Sequence, residues 1–144
     1  IGVKLARIMG LDLGKARTGV AISDPTQTIV SPVTTINIKN ESTLTSEIEK
    51  CVEEYKPEIL VVGIPTLMDG SRGSMAKWAE NIRRELQKHL AIPVKGWDER
   101  MSTVSAKRIL QENDPSTSTN HSEDAVSAAV ILESYIAYKN RGSR

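Results

Sequence analysis

Phenylalanine is absent from the sequence, and the other aromatic residues are only two tryptophans and three tyrosines in 144 positions. The hydrophobic core must therefore be built from Val, Ile, Leu and Ala. Hydrophobic residues make up 39% of the chain and charged residues 26%, as in ordinary globular proteins. This length suits one compact core, so we expect residues 1–144 to form a single domain.

Cysteine and histidine are nearly absent as well. The single cysteine, Cys51, excludes an intrachain disulfide, and no cluster of Cys and His has the spacing of a zinc site. We expect Cys51 to be buried on a helix face, because no second element places a base beside it. The sequence therefore argues against thiol chemistry and against zinc chemistry.

Long hydrophobic runs and an excess of one charge are also missing. No stretch of about 18 apolar residues occurs, and no leader-like segment is visible, so we expect a cytoplasmic protein without a membrane partner. The 19 basic and 18 acidic residues leave a net charge of +1. Any nucleic acid would have to be held by local groups of cations rather than by the overall charge.

Alternating or continuous apolar segments predict five strands. They lie at residues 5–13, 18–23, 27–38, 58–64 and 92–98, with a tight turn at 15–17. Pro32 indicates that the third strand is an edge strand or contains a bulge. The fourth strand is apolar throughout, as expected for a strand covered on both faces.

Helical spacing of apolar residues predicts four helices. The first is "ESTLTSEIEKCVEEY" with Ser42 as its N-cap, and the second carries Met75, Trp78, Ala79, Ile82, Leu86 and Leu90. A third begins near Ser102. The last runs from about Ser122 to Lys139 and buries a stripe made of Val126, Ala129, Val130, Ile136 and Ala137. The order β-β-β-α-β-α-β-α-α predicts a mixed sheet with helices on its faces.

The segment "RIMGLDLGKARTGVAISD" places one carboxylate, Asp12, in an apolar strand between Gly10 and Gly14. A charge in a buried strand is costly unless it has a partner or a task. The two glycines would let a backbone or a substrate approach closely. Asp12 is therefore a candidate functional residue, although an Asp between glycines also caps turns.

Further acidic residues stand at the ends of other elements. Asp98 and Glu99 close the strand 92–98, and Asp124 lies in the first turn of the last helix, where the helix dipole favours a negative charge. Ligands of open α/β sheets gather beyond the carboxyl ends of strands, which makes these acids and Asp12 candidates for one site.

Three carboxylates without His or Cys suit Mg²⁺ or Mn²⁺ rather than zinc. Each acid also has a purely structural interpretation. Glu99 could pair with Arg100, and Asp124 could be a favourable first-turn residue. Spacing alone does not bring the three together.

Four blocks occur in order over residues 7–138: "GLDLGKARTGVAISD", "VVGIPTLMDGSRG", "VKGWDERMST" and "EDAVSAAVILESYI". Together they resemble the YqgF/RuvX family of RNase H-like nucleases. The resemblance implies an α/β RNase H-like fold, a mixed five-stranded sheet flanked by helices, and metal-dependent hydrolysis of nucleic-acid phosphodiesters. Members are regarded as nucleases for the 5′ end of pre-16S rRNA, and earlier as Holliday junction resolvases.

Position by position, the resemblance implies that Asp12, Glu99 and Asp124 are the catalytic residues and the ligands of Mg²⁺ or Mn²⁺. Two such ions would stabilise the attacking and leaving oxygens of the phosphodiester. Asp98 has no assigned role, since adjacent strand residues point to opposite faces. The chain departs from the family pattern between residues 113 and 123, which hold no basic residue but include His121, a candidate pH-sensitive group.

Binding of a phosphate backbone at this site requires cationic side chains close to the acids. Lys15 and Arg17 follow the first strand, Arg72 lies in the loop 65–74, and Arg100 follows Glu99. We expect these four to contact substrate phosphates. The loop itself is either a flap over the site or a plain connection.

The expected partner is thus a nucleic acid, either an rRNA precursor or branched DNA. No dimer face is evident, which favours a monomer or weak homodimer acting on RNA, since a junction resolvase requires a stable two-fold dimer. A ribosome-assembly factor that binds without cleaving is the main alternative. An actin-like ATPase, suggested by "GLDLG", would need a second domain that 144 residues do not supply.

Overall fold

The computed structural model describes residues 5–66, 73–101 and 123–142, which form one sheet with helices on both faces. The described elements, in chain order, are β1 (Ile8–Asp12), β2 (Arg17–Ser23), β3 (Val30–Asn37), α1 (Glu41–Tyr55), β4 (Ile59–Ile64), α2 (Ser74–His89), β5 (Val94–Asp98), a 3₁₀ turn (Glu99–Met101) and α3 (Glu123–Gly142). All five predicted strands are present; four are shorter than predicted, and β2 begins one residue earlier than predicted.

The sheet has the strand order β3-β2-β1-β4-β5. Strands β1, β4 and β5 are mutually parallel neighbours, whereas β2 runs antiparallel to both β1 and β3. The predicted mixed five-stranded sheet is therefore confirmed. Its parallel strands all end at one edge, which we call the carboxyl edge, and β2 begins there.

Pro32 lies on the outer strand β3, as predicted. The pairing of β2 with β3 shifts between Val20 and Ala21, whose partners are Thr34 and Pro32, so Val33 is an extra residue in the edge strand. The strand thus has both features that the proline indicated, the edge position and the bulge. Both tolerate a residue that lacks a backbone N–H.

Two apolar clusters cover the two faces of the sheet. One packs α1 and α2 against Met9, Leu11, Val20, Leu60 and Val62. The other packs α3 against Ile8, Ala21 and Val61, and it includes the α3 residues Ala128, Ala129, Ile131, Leu132, Tyr135 and Ile136. Because both sides of β4 are covered, its continuous apolar run is explained.

Two details of the helices differ from the sequence-based expectation. The N-cap of α1 is Asn40 rather than Ser42, because the Asn40 side chain accepts a hydrogen bond from the Thr43 backbone N–H at 2.9 Å. On α3, the predicted stripe is partly wrong, since Val126 is only half-buried and Ala137 is exposed. Instead, the small residues of α3 lie against the sheet.

Several predicted features lie outside the described residues. They are the helix near Ser102, the Ser122 cap, His121, Arg72 and most of the loop 65–74. Cys51 is half-buried on α1 against the core, close to the expectation. Across the described ranges, no helix combines the length and apolar character needed to cross a membrane.

Candidate active site

The three predicted acids lie at the carboxyl edge of the sheet. Asp12 is the last residue of β1, Glu99 directly follows β5, and Asp124 is the second residue of α3. Parallel neighbours β1, β4 and β5 end side by side, which brings Asp12 and Glu99 to the same edge. Residues far apart in the chain thereby face one small region.

Asp12 and Glu99 interact directly through a side-chain hydrogen bond. Burial, followed by the negative charge of Asp12, raises the pKa of Glu99 to about 7. Burial is also the main reason that the pKa of Asp12 is raised, and the charge of Asp124 adds to it. Below about pH 7 the pair therefore holds one proton, with Glu99 as the donor and Asp12 as the acceptor.

Asp124 approaches the same region from α3 but is paired differently. Its Oδ2 accepts a hydrogen bond of 2.9 Å from Nε of Arg17, the first residue of β2. The charge of Asp124 nevertheless helps to raise the pKa of Asp12, so the two carboxylates are close enough to interact electrostatically. The negative charge of the three acids is thus partly offset by the Arg17 guanidinium and, below about pH 7, by a proton on Glu99.

The acids are grouped, but they do not surround a common point. Within residues 5–66, 73–101 and 123–142, no three Asp, Glu, His or Cys side chains converge as ready metal ligands. The donor set still fits Mg²⁺ or Mn²⁺, because it offers only carboxylate oxygens from three separate elements. One of the Asp124 oxygens, Oδ2, is engaged by Arg17.

Three glycines of the sheet allow α3 to come this close. A Cβ atom at Gly19 would lie 1.8 Å from the backbone oxygen of Asp124, and one at Gly10 would lie 2.9 Å from Cβ of Leu132. A Cβ atom at Gly63 would lie 2.6 Å from Cδ1 of Ile131. Side chains at these positions would push the helix, and Asp124 with it, away from the sheet.

Gly10 and Gly14, expected to let a backbone and a substrate approach, are both approached closely by backbone atoms of the protein itself. The space beside Gly10 is taken by α3, and a Cβ atom at Gly14 would lie 2.5 Å from the backbone oxygen of Arg17. Gly19 and Gly63, which matter most for the site, were missed in the sequence. Their signal was present, since an isolated glycine within a strand pattern indicates close approach of another backbone.

The position of Glu99 depends on contacts to either side of it. Trp97 Nε1 donates a hydrogen bond of 3.1 Å to Oγ of Ser134 on α3, and that hydroxyl donates one of 2.9 Å to the Met101 carbonyl oxygen. Trp97 also packs edge-on against Tyr135. These contacts tie the end of β5 and the 3₁₀ turn to α3, with Glu99 between them.

Asp98 has hydrogen-bond partners of its own, although its negative charge contributes to the raised pKa of Glu99. Its carboxylate accepts hydrogen bonds from Nε and Nη2 of Arg100, from the Arg100 backbone N–H and from Oγ1 of Thr66. The hydrogen bonds from Arg100 are the main reason that the pKa of Asp98 is lowered. Asp98 therefore stays charged and links the end of β4 to the turn that carries Glu99.

The predicted substrate-binding cations are distributed around this edge. Lys15 Nζ lies 5.9 Å from the ring centroid of Trp78, on the α2 side of the sheet. Arg17 pairs with Asp124, and Arg100 with Asp98. Arg72 lies outside the described residues. Three of the four cations thus border the acids, two of them held by carboxylates.

The fold is that of RNase H-like nucleases, and solved structures share it. The Thermus thermophilus RuvC structure superposes with a TM-score of 0.72 over 94% of this chain and 96% of that chain, at 9% identity. RuvC from the same organism in complex with a Holliday junction gives 0.70 over 96% and 97%, at 11% identity.

The sequence relationship is more specific, and this chain belongs to the RuvX family. The family model described as "RuvX: Holliday junction resolvase" matches residues 6–138. A Halothermothrix orenii protein named "Putative pre-16S rRNA nuclease" is 41% identical over 94% of this chain and 97% of its own length. A relative of the same name from Clostridium botulinum (strain Alaska E43) is 39% identical over 90% and 96%.

The close approach at Gly19 predicts a severe effect of one added methyl group. Gly19→Ala should destabilise the protein by about 2–4 kcal/mol, because the backbone of α3 must shift to avoid the new Cβ atom. Urea unfolding followed by circular dichroism measures the change. Gly96→Ala is the matched control: it adds the same methyl at an exposed strand position, where the nearest atom is Cγ1 of Ile64 at 3.2 Å, and it should stay near wild-type stability. Equal effects of the two changes would contradict the packing argument.

The shared proton predicts a pH dependence of stability. The pKa of Glu99 is higher in the folded state than in the unfolded chain, so folding favours the protonated form. With EDTA present, the wild type should lose stability as pH rises from about 4.5 to 7. Glu99→Gln should lack this loss and be more stable at pH 8 by about 1–2 kcal/mol, with solvent screening keeping the gain below the full value.

Thermal unfolding at pH 5 and pH 8 measures this difference. Glu133→Gln on α3 is the control, because the pKa of Glu133 is raised by burial alone, without a neighbouring carboxylate among the causes. Glu133→Gln should alter the difference in stability between pH 5 and pH 8 by less than Glu99→Gln does. Parallel pH profiles for the wild type and Glu99→Gln would show that no proton is shared.

Proposed function

We propose that this protein is a nuclease that hydrolyses nucleic-acid phosphodiester bonds with Mg²⁺ or Mn²⁺ held by Asp12, Glu99 and Asp124. The observation that carries the proposal is the meeting of these three carboxylates, from three elements, at the carboxyl edge of an RNase H-like sheet. Like charges are grouped at a cost, and a bound cation offsets that cost. Membership of the RuvX family supports the same activity.

When bound, a divalent ion supplies stabilisation of the charge that develops on the phosphate oxygens during hydrolysis. Asp12 and Glu99 hold one proton between them and must release it to act together as ligands, so metal binding would be coupled to proton release. The contacts of Trp97 and Met101 with Ser134 keep Glu99 oriented toward Asp12. Trp97, Met101 and Ser134 thus position Glu99 in the proposed site.

Substrate contact in this proposal comes from the cations around the acids. Lys15, Arg17 and Arg100 border the site, and Arg72 belongs to the loop that follows β4. Arg100 is held by two hydrogen bonds to one oxygen and a third to the other oxygen of Asp98, which fixes its guanidinium near the site. A fixed guanidinium loses little entropy when it contacts a phosphate.

The substrate that we favour is the 5′ end of a 16S rRNA precursor, which would place the protein in the cytoplasm as a monomer or weak homodimer. The names of its curated relatives support this choice. Cleavage of Holliday junction DNA is the second candidate, favoured by the family description and by the RuvC fold. Binding to ribosome precursors without cleavage is the third.

A cleavage assay that compares precursor 16S rRNA with a four-way DNA junction separates these candidates. With Mg²⁺ or Mn²⁺, we expect cleavage of the RNA, and Asp12→Asn should reduce it by more than about 100-fold, because a metal ligand is lost. The variant should melt at the same or a higher temperature, since its loss of charge relieves repulsion among the acids.

Wild-type cleavage by Asp12→Asn would refute the site assignment. Preferred cleavage of the junction would favour the resolvase interpretation. Binding of precursor RNA without cleavage by the wild type, at any metal concentration, would favour the assembly factor.

Substrate contact by Arg100 is tested through the salt dependence of binding. In the Asp12→Asn background, the additional change Arg100→Gln should lower RNA affinity and reduce the slope of log affinity against log salt by about 0.7, the value for one phosphate contact on a single strand. Arg84→Gln on the exposed side of α2 removes the same charge away from the carboxyl edge and should leave the slope unchanged. Equal slopes for both variants would show that Arg100 does not touch phosphate.

A further inference from the structure

One cation of the site lies directly on a predicted metal ligand. Arg17 Nε donates to Asp124 Oδ2 at 2.9 Å, and the exposed fractions of the two side chains are 61% and 29%. Arg17 therefore occupies one of the two oxygens through which Asp124 would bind a divalent cation. Its positive charge also repels a cation that approaches the same carboxylate.

We propose that Arg17 is an exchangeable counter-ion of Asp124, which holds this carboxylate beside the site and competes with a divalent cation for it. The inference rests on the proposed function, because it takes Asp124 as a metal ligand. It assigns Arg17 a task that differs from phosphate contact. The guanidinium becomes available to a substrate phosphate only after it has released Asp124.

The surroundings of Arg17 permit such an exchange. Its backbone is fixed, since Arg17 pairs with Asn37 in the sheet and the neighbouring Ala16 carbonyl accepts a hydrogen bond from the Ile38 N–H. Its side chain is mostly exposed, so the guanidinium can move into solvent without a change in the strand. Release is easy, because exposed ion pairs shift equilibria by only about two- to fivefold.

The other described cations of this edge have different partners. Lys15 lies over Trp78, which packs with the α1 and α2 cluster on the opposite face of the sheet from α3. Arg100 is bound by Asp98. Arg84 on α2 lies away from this edge, where it pairs with Glu80 and is 67% exposed. It carries the same guanidinium charge as Arg17 and is therefore a matched control.

The test is calorimetric titration of the full chain with Mn²⁺, without nucleic acid, at about 0.15 M salt to screen distant charges. Arg17→Gln should bind Mn²⁺ about two- to fivefold more tightly than the wild type, because the competitor is gone. Arg84→Gln should change the affinity by less than about 1.5-fold, since its charge lies away from the carboxyl edge and is screened. Equal effects of the two variants would overturn the proposal.

A double-mutant cycle identifies the carboxylate involved. In an Asp124→Asn background, Arg17→Gln should no longer strengthen Mn²⁺ binding, because the shared ligand is missing. A gain that persists in this background would show that Arg17 acts only through its general charge, and it would refute the exchange. Asp12→Asn tests the proposed metal site separately: unchanged Mn²⁺ binding in that variant would contradict the site itself.

Discussion

The close packing of α3 against the glycines of the sheet is the constraint on which the site depends. At Gly19, a side chain would overlap the backbone of Asp124, and at Gly63 it would contact both Ile131 and Glu99. The helix therefore rests on the sheet backbone itself. This short separation brings an acid from the far end of the chain within electrostatic range of Asp12 on β1. If α3 lay farther from the sheet, the same acids would be too far apart to interact.

Grouping three carboxylates creates an electrostatic cost that the protein offsets locally. Asp12 and Glu99 share a proton, Arg17 balances Asp124, and Arg100 with Thr66 balances the neighbouring Asp98. Each compensation is reversible, because a proton can leave and an exposed guanidinium can move. In the proposed function, these reversible compensations would let the site accept a divalent cation.

The same fold occurs in RuvC of Thermus thermophilus at only 9% identity. So low an identity shows that many sequences can satisfy the sheet order and the packing of helices on both faces. The fold alone therefore does not identify a substrate. Membership of the RuvX family is established by sequence, whereas the choice between an RNA end and a DNA junction depends on the surface around the acids, where Arg17 and Arg100 are already engaged.

Local sequence patterns determined the strands, their order along the chain, the edge position of Pro32 and the candidate acids, because alternation, apolar runs and breakers act over a few residues. They did not determine the partners of those acids. The proton shared by Asp12 and Glu99, and the pairing of Arg17 with Asp124 across 107 positions, arise only when parallel strands end together and α3 settles on the glycines. The cap of α1 by Asn40 rather than Ser42 is, by contrast, a local contact with Thr43, and its sequence-based prediction was wrong by two positions. Contacts between distant segments are decided by packing, which no local pattern encodes.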